Sequence, residues 1–202
     1  MSASTPLDTR ARRATTNDRL EIATTLSSAF YDDPIFTWGY PDAEFRRRIL
    51  PEFFGTFADV FTPHGTTFLV ESGVAMWSPA GVDSVPADQV DDFTGRLVEL
   101  SGPHAERFGE LMTVIDDAHP HDACAYLQFV GVRAELQGRG TGSAVMAPML
   151  AECDRDGTAA YLVSTSPRSR KLYERHGFRV VDELGVSDAP PMWAMWREPR
   201  NG

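Results

Sequence analysis

Between Gln137 and Ser143 the chain reads QGRGTGS, with glycine at 138, 140 and 142. This stretch separates an apolar, strand-like run (Ala125–Val132) from a helix-like one (Gly140–Asp156). A strand that enters a helix through glycines leaves free backbone N–H groups at the positive end of the helix dipole, and these make an anion site. Gly138, Gly140 and Gly142 permit close backbone approach, Arg139 adds a cation, and Thr141 and Ser143 add hydroxyl donors. On the glycines alone, a flexible turn without a ligand is the alternative. A Walker loop would close on Gly-Lys-Ser/Thr, and no lysine follows here. A dinucleotide fingerprint would place its third glycine at Ser143 or Val145, so that loop is disfavoured as well.

The neighbours of the turn narrow the choice. Gln137-x-x-Gly140-x-Gly142 follows the strand FVGV, and further on comes LYERHGF (Leu172–Phe178). In this order the pieces resemble the GCN5-related N-acetyltransferase (GNAT) family. That family is marked by Gln/Arg-x-x-Gly-x-Gly/Ala at a helix start, then a strand, then a helix with a tyrosine shortly before Gly-Phe. HPHD before the strand, VGV, QGRGTGSAV with a proline in the following helix, and SPRSRKLYERHGF are most similar to puromycin N-acetyltransferase-like members. The resemblance is specific over His119–Phe178 and looser through the N-terminal helices.

The resemblance implies acetyl-CoA as co-substrate, its pyrophosphate on the amides of Gly138–Ser143. Gln137 and Arg139 would belong to the same loop. Val130 and Val132 would offer backbone groups to the pantetheine arm from a strand splayed from its neighbour; as side chains they read as core. Tyr173 would be the acid: amine attack on a thioester expels a thiolate, and a phenol can protonate it as it leaves. A half-buried tyrosine with a locally satisfied hydroxyl is the alternative. Ser166 and Ser169 stand where relatives carry asparagine on the pantetheine or in the puromycin-type pattern. Val163 stands where that pattern carries a glutamate near the acceptor amine, which discounts puromycin itself and leaves the base unassigned among a water chain, Asp32, Asp33 and Glu71. The loss of these residues motivates a competing reading, a non-catalytic acyl-CoA-binding or sensing module. Phe36, Trp38, Phe45 and Trp77 are candidate walls of the acceptor site, or ordinary core.

Other reactive side chains read more plainly. Cys124 and Cys153 lack a recognisable base partner and read as reduced core thiols, so transfer is expected to be direct. His119 and His121, flanking Pro120 and followed by Asp122, could suggest a metal pair, but no third ligand is spaced to join them, so the stretch reads as a loop and no metal site is expected. His176 reads as a helix-end residue complementing the dipole rather than as a catalyst.

These groups need a frame. Arg10–Thr15 could form an edge strand; Thr16 or Asn17 would cap a helix with an Ile22, Ala23, Leu26, Ala29, Phe30 face, ended by YDDP. Asp42–Phe61 is predicted helical with a kink at Pro51, Thr66–Pro79 a hairpin turning at Ser72-Gly73, and Asp88–Ala118 helical with a break near Ser101–His104. Strand and helix then alternate: Ala125–Val132, Gly140–Asp156, Ala159–Thr165, Arg168–His176, Phe178–Leu184 and Met192–Arg197. MWAMWR is apolar on both faces and belongs inside a sheet. The pattern predicts one α/β domain over 1–202, a mixed sheet with helices on both faces and residues 1–9 a loose tail. The resemblance implies the GNAT fold, a mostly antiparallel α+β sheet of about six or seven strands. A net charge of −10 argues against nucleic acid, and no apolar run is long enough to span a membrane. The expectation is a cytoplasmic protein, monomer or homodimer, acting on a small-molecule amine.

Overall fold

The computed structural model describes residues 10–200, so the expected tail at 1–9 lies outside the described residues. The first strand, β1 (Arg12–Arg13), is shorter than Arg10–Thr15. Its helix signal is displaced too. Asp18 accepts from both the N–H and the hydroxyl of Thr15, so Thr15 caps a short 3-10 turn before helix α1 (Arg19–Phe30). YDDP then ends α1 and at once starts another helix, α2 (Pro34–Gly39), which the pattern did not reveal. Asp33 caps it, accepting from the N–H groups of Ile35 and Phe36, and Pro34 at its first position lacks only a donor the helix would not use.

Helix α3 (Ala43–Phe61) starts on Asp42 and runs unbroken through Pro51. Its buried side includes Ile49, Leu50, Phe53, Phe54, Phe57 and Phe61, which pack with α1 into the largest aromatic cluster of the molecule. The hairpin is β2 (Thr67–Val70) and β3 (Gly73–Ser78), and its turn is Glu71-Ser72 rather than Ser72-Gly73. Ser72 takes the left-handed conformation (φ 64°), whereas Gly73 is needed for space: a Cβ there would lie 2.7 Å from the Thr141 methyl. Helices α4 (Val90–Ser101) and α5 (Ala105–Asp117) follow, separated by Gly102–His104 as expected.

Strand β4 (Cys124–Val132), helix α6 (Thr141–Asp156), strand β5 (Ala159–Ser164), helix α7 (Pro167–Arg175) and strands β6 (Arg179–Leu184) and β7 (Met192–Arg197) complete the chain. The seven strands lie in the order β1-β2-β3-β4-β5-β7-β6, and β4–β5 is the sole parallel pair. The doubly apolar MWAMWR is therefore an interior strand, between β5 and β6. One face of the sheet is covered by α6 and α7 and the other by α1 to α5. Among the described residues no helix is long and apolar enough to cross a membrane.

Candidate active site

The glycine turn follows β4 and opens α6, and its glycines serve two different needs. Gly138 (φ 81°) and Gly140 (φ 88°) are left-handed, a conformation that costs other residues roughly 1–2 kcal/mol. Gly142 is ordinary in backbone but lies under α7, where a Cβ would come 3.2 Å from Leu172 Cδ2. The first intrahelical bond of α6 runs from the Ala144 N–H to the Gly140 carbonyl (3.0 Å). The N–H groups of Thr141, Gly142 and Ser143 precede it and have no helical acceptor. Arg139 is exposed beside them. Gln137 braces the turn, its side-chain amide donating to the Val132 carbonyl at 3.1 Å. Thr141 is buried against Gly73, and the Ser143 hydroxyl meets His176 Nε2 at 2.9 Å. His176 is thus tied to the turn, a contact its place at a helix end did not signal. Burial first, and then Arg175, Arg200 and Arg197, lower its pKa, so it is neutral at pH 7.

Strand β4 reaches the turn alone. It pairs with β5 only from Cys124↔Ala159 to Leu127↔Leu162, while its pairing with β3 continues to Val132. The strands part at Gln128, where β4 carries a bulge: Met76 faces Phe129 and Trp77 faces Leu127, leaving Gln128 unopposed. The extra residue reverses the alternation. Leu127 and Val130 both join the core under α6, and Phe129 joins the aromatic cluster under α1 and α3. Gln128 is held toward Ser78 and Ser84 by its side-chain nitrogen, at 3.1 and 3.3 Å. At Gly131 helix α1 lies so close that a Cβ would meet Ala29 Cβ and Leu26 Cδ2, each at 2.8 Å.

At the open end of the splay three polar residues converge. Thr165, just past β5, donates its hydroxyl to Asp33 Oδ2 at 2.6 Å, while Asp33 Oδ1 accepts from the N–H of Ile35 (2.9 Å). Burial raises the pKa of Asp33 above its ordinary value, against the pull of these hydrogen bonds. Tyr173 on α7 is buried, and burial together with the charge of Asp33 raises its pKa, so the phenol is protonated at neutral pH. Arg46 fixes the segment that carries Asp33. Though buried, its guanidinium donates to the carbonyls of Tyr31, Tyr40 and Pro41, closing both ends of that segment. Ser166 caps α7, accepting from the Ser169 N–H at 3.1 Å, and the Ser164, Ser166 and Ser169 hydroxyls form a chain with 2.9 Å steps.

The unpaired amides that open α6 and the side chains of Asp33 and Tyr173 thus lie along one parted strand pair. Residues 104–198 match the model of an acetyltransferase (GNAT) domain. An uncharacterized N-acetyltransferase of Schizosaccharomyces pombe is 25% identical over 211 residues, covering 94% of this chain and 83% of that protein. A solved Corynebacterium glutamicum protein, described as histone acetyltransferase HPA2 and related acetyltransferase, superposes with a TM-score of 0.68 at 24% identity, over 96% of this chain and 97% of its own. The Drosophila melanogaster polyamine N-acetyltransferase, which forms N-acetylagmatine, gives 0.63 at 14% identity, over 93% and 98%. The chain has the GNAT acetyltransferase fold. Domain model, relative and solved structures together support an N-acetyltransferase.

On the GNAT frame the remaining candidates sort by face. Trp77 cannot line an acceptor site: it is fully buried in the core beneath α6, on the face opposite α1. Phe36 is enclosed by rings, with Phe30, Phe53 and Phe54 each about 5.5 Å away, as core. Phe45 packs on His104 and Tyr40 at the surface end of α3. Trp38 is half-buried in the cluster that also holds Tyr126 and Val163, and it donates to Asp188 Oδ1 of the β6–β7 loop at 2.9 Å. Of the three carboxylates considered as base, Asp32 is exposed and Glu71 lies in the hairpin turn, whereas Asp33 is near enough for its charge to add to burial in raising the Tyr173 pKa. His119 stacks edgewise on Tyr126 and Tyr161, as packing at the start of β4. Cys124 and Cys153 are buried and unpaired, and burial pushes both thiols up to about 11.

Proposed function

We propose that this protein is an acetyl-CoA-dependent N-acetyltransferase that transfers acetyl directly to an amine of a small molecule. One observation carries the reading: the free amides of the glycine turn and the Asp33–Tyr173 pair stand along the same splay of β4 from β5. The amides of Thr141, Gly142 and Ser143 with Arg139 fit a pyrophosphate, and the parted strands fit an extended arm. Acetyl-CoA, when bound, supplies an acyl carbon activated as a thioester.

The chain supplies the proton movements. Asp33 accepts the amine proton as nitrogen bonds to the acyl carbon, and Tyr173 gives its phenolic proton to the departing sulfur. The two steps are coupled. The charge of Asp33 helps to hold the Tyr173 pKa up, so once Asp33 is neutral the phenol becomes a stronger acid, when the sulfur needs a proton. Solvent then returns both groups to their resting states. The raised thiols of Cys124 and Cys153 fit transfer without an acyl-enzyme, and unpaired thiols fit a reducing compartment such as the cytoplasm.

The puromycin-type motifs and the polyamine-acetylating structural neighbour support a small-molecule acceptor, while Val163 argues against puromycin itself. The motive for a purely sensing module, a lost glutamate on β5, weakens because Asp33 brings a carboxylate to the same end of that strand through Thr165. The test is acetyl-CoA turnover across a panel of amines beside calorimetric CoA binding. Turnover is expected, with Tyr173→Phe lowering kcat by about 10²-fold and leaving acetyl-CoA affinity near normal. CoA binding without turnover on any amine would transfer the assignment to the sensing module.

A further inference from the structure

Beyond the last paired position of β4 and β5, Leu127↔Leu162, the next residues on the two strands are Gln128 and Val163, one on either side of the gap. Leu127 and Leu162 point into the core under α6, so Val163 points to the opposite face, where it belongs to the cluster of Trp38 and Tyr126. Gln128 points the same way. Its amide reaches Ser78, and Trp77, the neighbour of Ser78 on β3, is on the α6 side. Thr165, which holds Asp33, comes two positions after Val163, roughly 7 Å further along the same face. The base of the gap is thus one amide beside apolar side chains, a short reach from Asp33. That amide is only half used. Its nitrogen donates to Ser78 Oγ at 3.1 Å and Ser84 Oγ at 3.3 Å, and the Ser84 hydroxyl donates to Ser78 Oγ at 2.8 Å. His64 Nε2 donates to the Ser84 carbonyl at 3.0 Å and so holds that segment in place. The carbonyl oxygen of Gln128 is open to solvent and has no partner among the described residues.

We infer that Gln128 sets the acceptor preference of the transferase, selecting an amine that carries a hydroxyl a few bonds from the reacting nitrogen. This rests on the acetyl-CoA reading with Asp33 as base and adds a substrate class to it. With the nitrogen at Asp33, a hydroxyl at the base of the gap donates to the free Gln128 carbonyl. Because a hydroxyl also accepts, it suits the amide in either orientation. A methyl group in the same place strips the carbonyl of water and leaves it unpaired. A second ammonium group fares no better, since neither the neutral amide nor Val163 offers it a counter-charge.

The test is steady-state acetylation by the full chain of aminopropanol, butylamine and diaminopropane, whose matched chains end in a hydroxyl, a methyl and an ammonium group. The kcat/KM for aminopropanol is expected to be about tenfold above that for either other amine, chiefly through KM. Gln128→Leu should bring the hydroxyl-to-methyl ratio to about one. Ser84→Ala, which leaves the strand intact and frees one side of the amide, should lower that ratio about threefold. Gln128→Glu keeps the shape and supplies a charge, so it should turn the preference to diaminopropane, a gain that misfolding cannot produce. A wild-type ratio near one, a wild-type preference for the diamine, or a ratio that neither Gln128 variant moves would overturn the subsite and leave the acetyl-CoA reading standing. Acetylation of none of the three, while other amines are turned over, would do the same. Acetylation of no amine at all would remove that reading, and the subsite with it.

Discussion

Replacing Asp33 by Asn separates its chemical role from its structural one. As the cap of α2, Asp33 needs only an oxygen facing the N–H groups of Ile35 and Phe36, which Asn supplies, since the two rank alike as caps. The Thr165 hydroxyl, now the donor at 2.6 Å, can turn to accept from the new amide. Stability should therefore change by less than about 1 kcal/mol. The proton acceptor is gone, however, and loss of a positioned base costs about 10²–10⁴ in rate, or ~3–5 kcal/mol of barrier. Steady-state kcat/KM between pH 5 and 9 adds a signature. With its pKa raised, wild-type Asp33 must lose its proton to act, so activity falls as pH drops through that raised value, and Asp33→Asn lacks this limb. Thr165→Val removes a hydrogen bond that lowers the Asp33 pKa, so it should move the limb to higher pH. A variant Asp33→Asn that keeps more than a third of wild-type kcat, or Thr165→Val with an unmoved limb, would refute the assignment of the base.

Three further outcomes follow from the packing. Asp154→Ala strands Arg197, which is 2% exposed and bonds both Asp154 oxygens at 2.7 Å; with Asp154 itself 29% exposed, we expect a loss of about 2–3 kcal/mol in urea denaturation, below the fully buried case. Replacing the pair by Asp154→Leu with Arg197→Met should cost much less than Asp154→Ala. Gly131→Ala drives a methyl into Ala29 and Leu26 and should cost about 1–3 kcal/mol and raise KM for the amine, by lifting α1 and the following Asp33 from β4. His176 has a folded pKa below its unfolded value, so the unfolded chain binds more protons and stability falls as pH drops through and below the unfolded pKa. Thermal melts from pH 8 to pH 5 should therefore decline less steeply in His176→Gln than in the wild type.

The parts legible in the sequence were those that repeat or punctuate. Glycines 138, 140 and 142 announced the turn, MWAMWR announced an interior strand, and the Phe-rich stripe of Asp42–Phe61 announced the face of α3. What stayed hidden depends on contacts distant in sequence. The bulge at Gln128 leaves no mark in residue type, because it arises from how β4 pairs with β3, and it decides which face Phe129 and Val130 serve. Helix α2 is too short to show a period and is held by its Asp33 cap and by Arg46. The Ser143–His176 bond spans 33 residues and the Asp33–Thr165 bond 132, so neither could be seen as a local pattern.

The proposed base illustrates how this matters for function. Motif comparison looks for the carboxylate at a fixed place on β5 and finds Val163, which reads as a loss. The reaction, however, requires a proton acceptor near the acceptor nitrogen and not a particular strand position. In this fold the loop after α1 meets the end of β5, and Thr165 takes Asp33 by a 2.6 Å bond. A carboxylate delivered from that loop is anchored at one oxygen by the start of α2 and at the other by a hydroxyl, while Arg46 holds both ends of the segment. Such a group keeps its place without a counter-charge that would depress its pKa, and so stays basic enough to accept a proton. On the proposed reading, Asp33 from the loop after α1 supplies the carboxylate that β5 lacks at Val163, and its raised pKa suits it to that role.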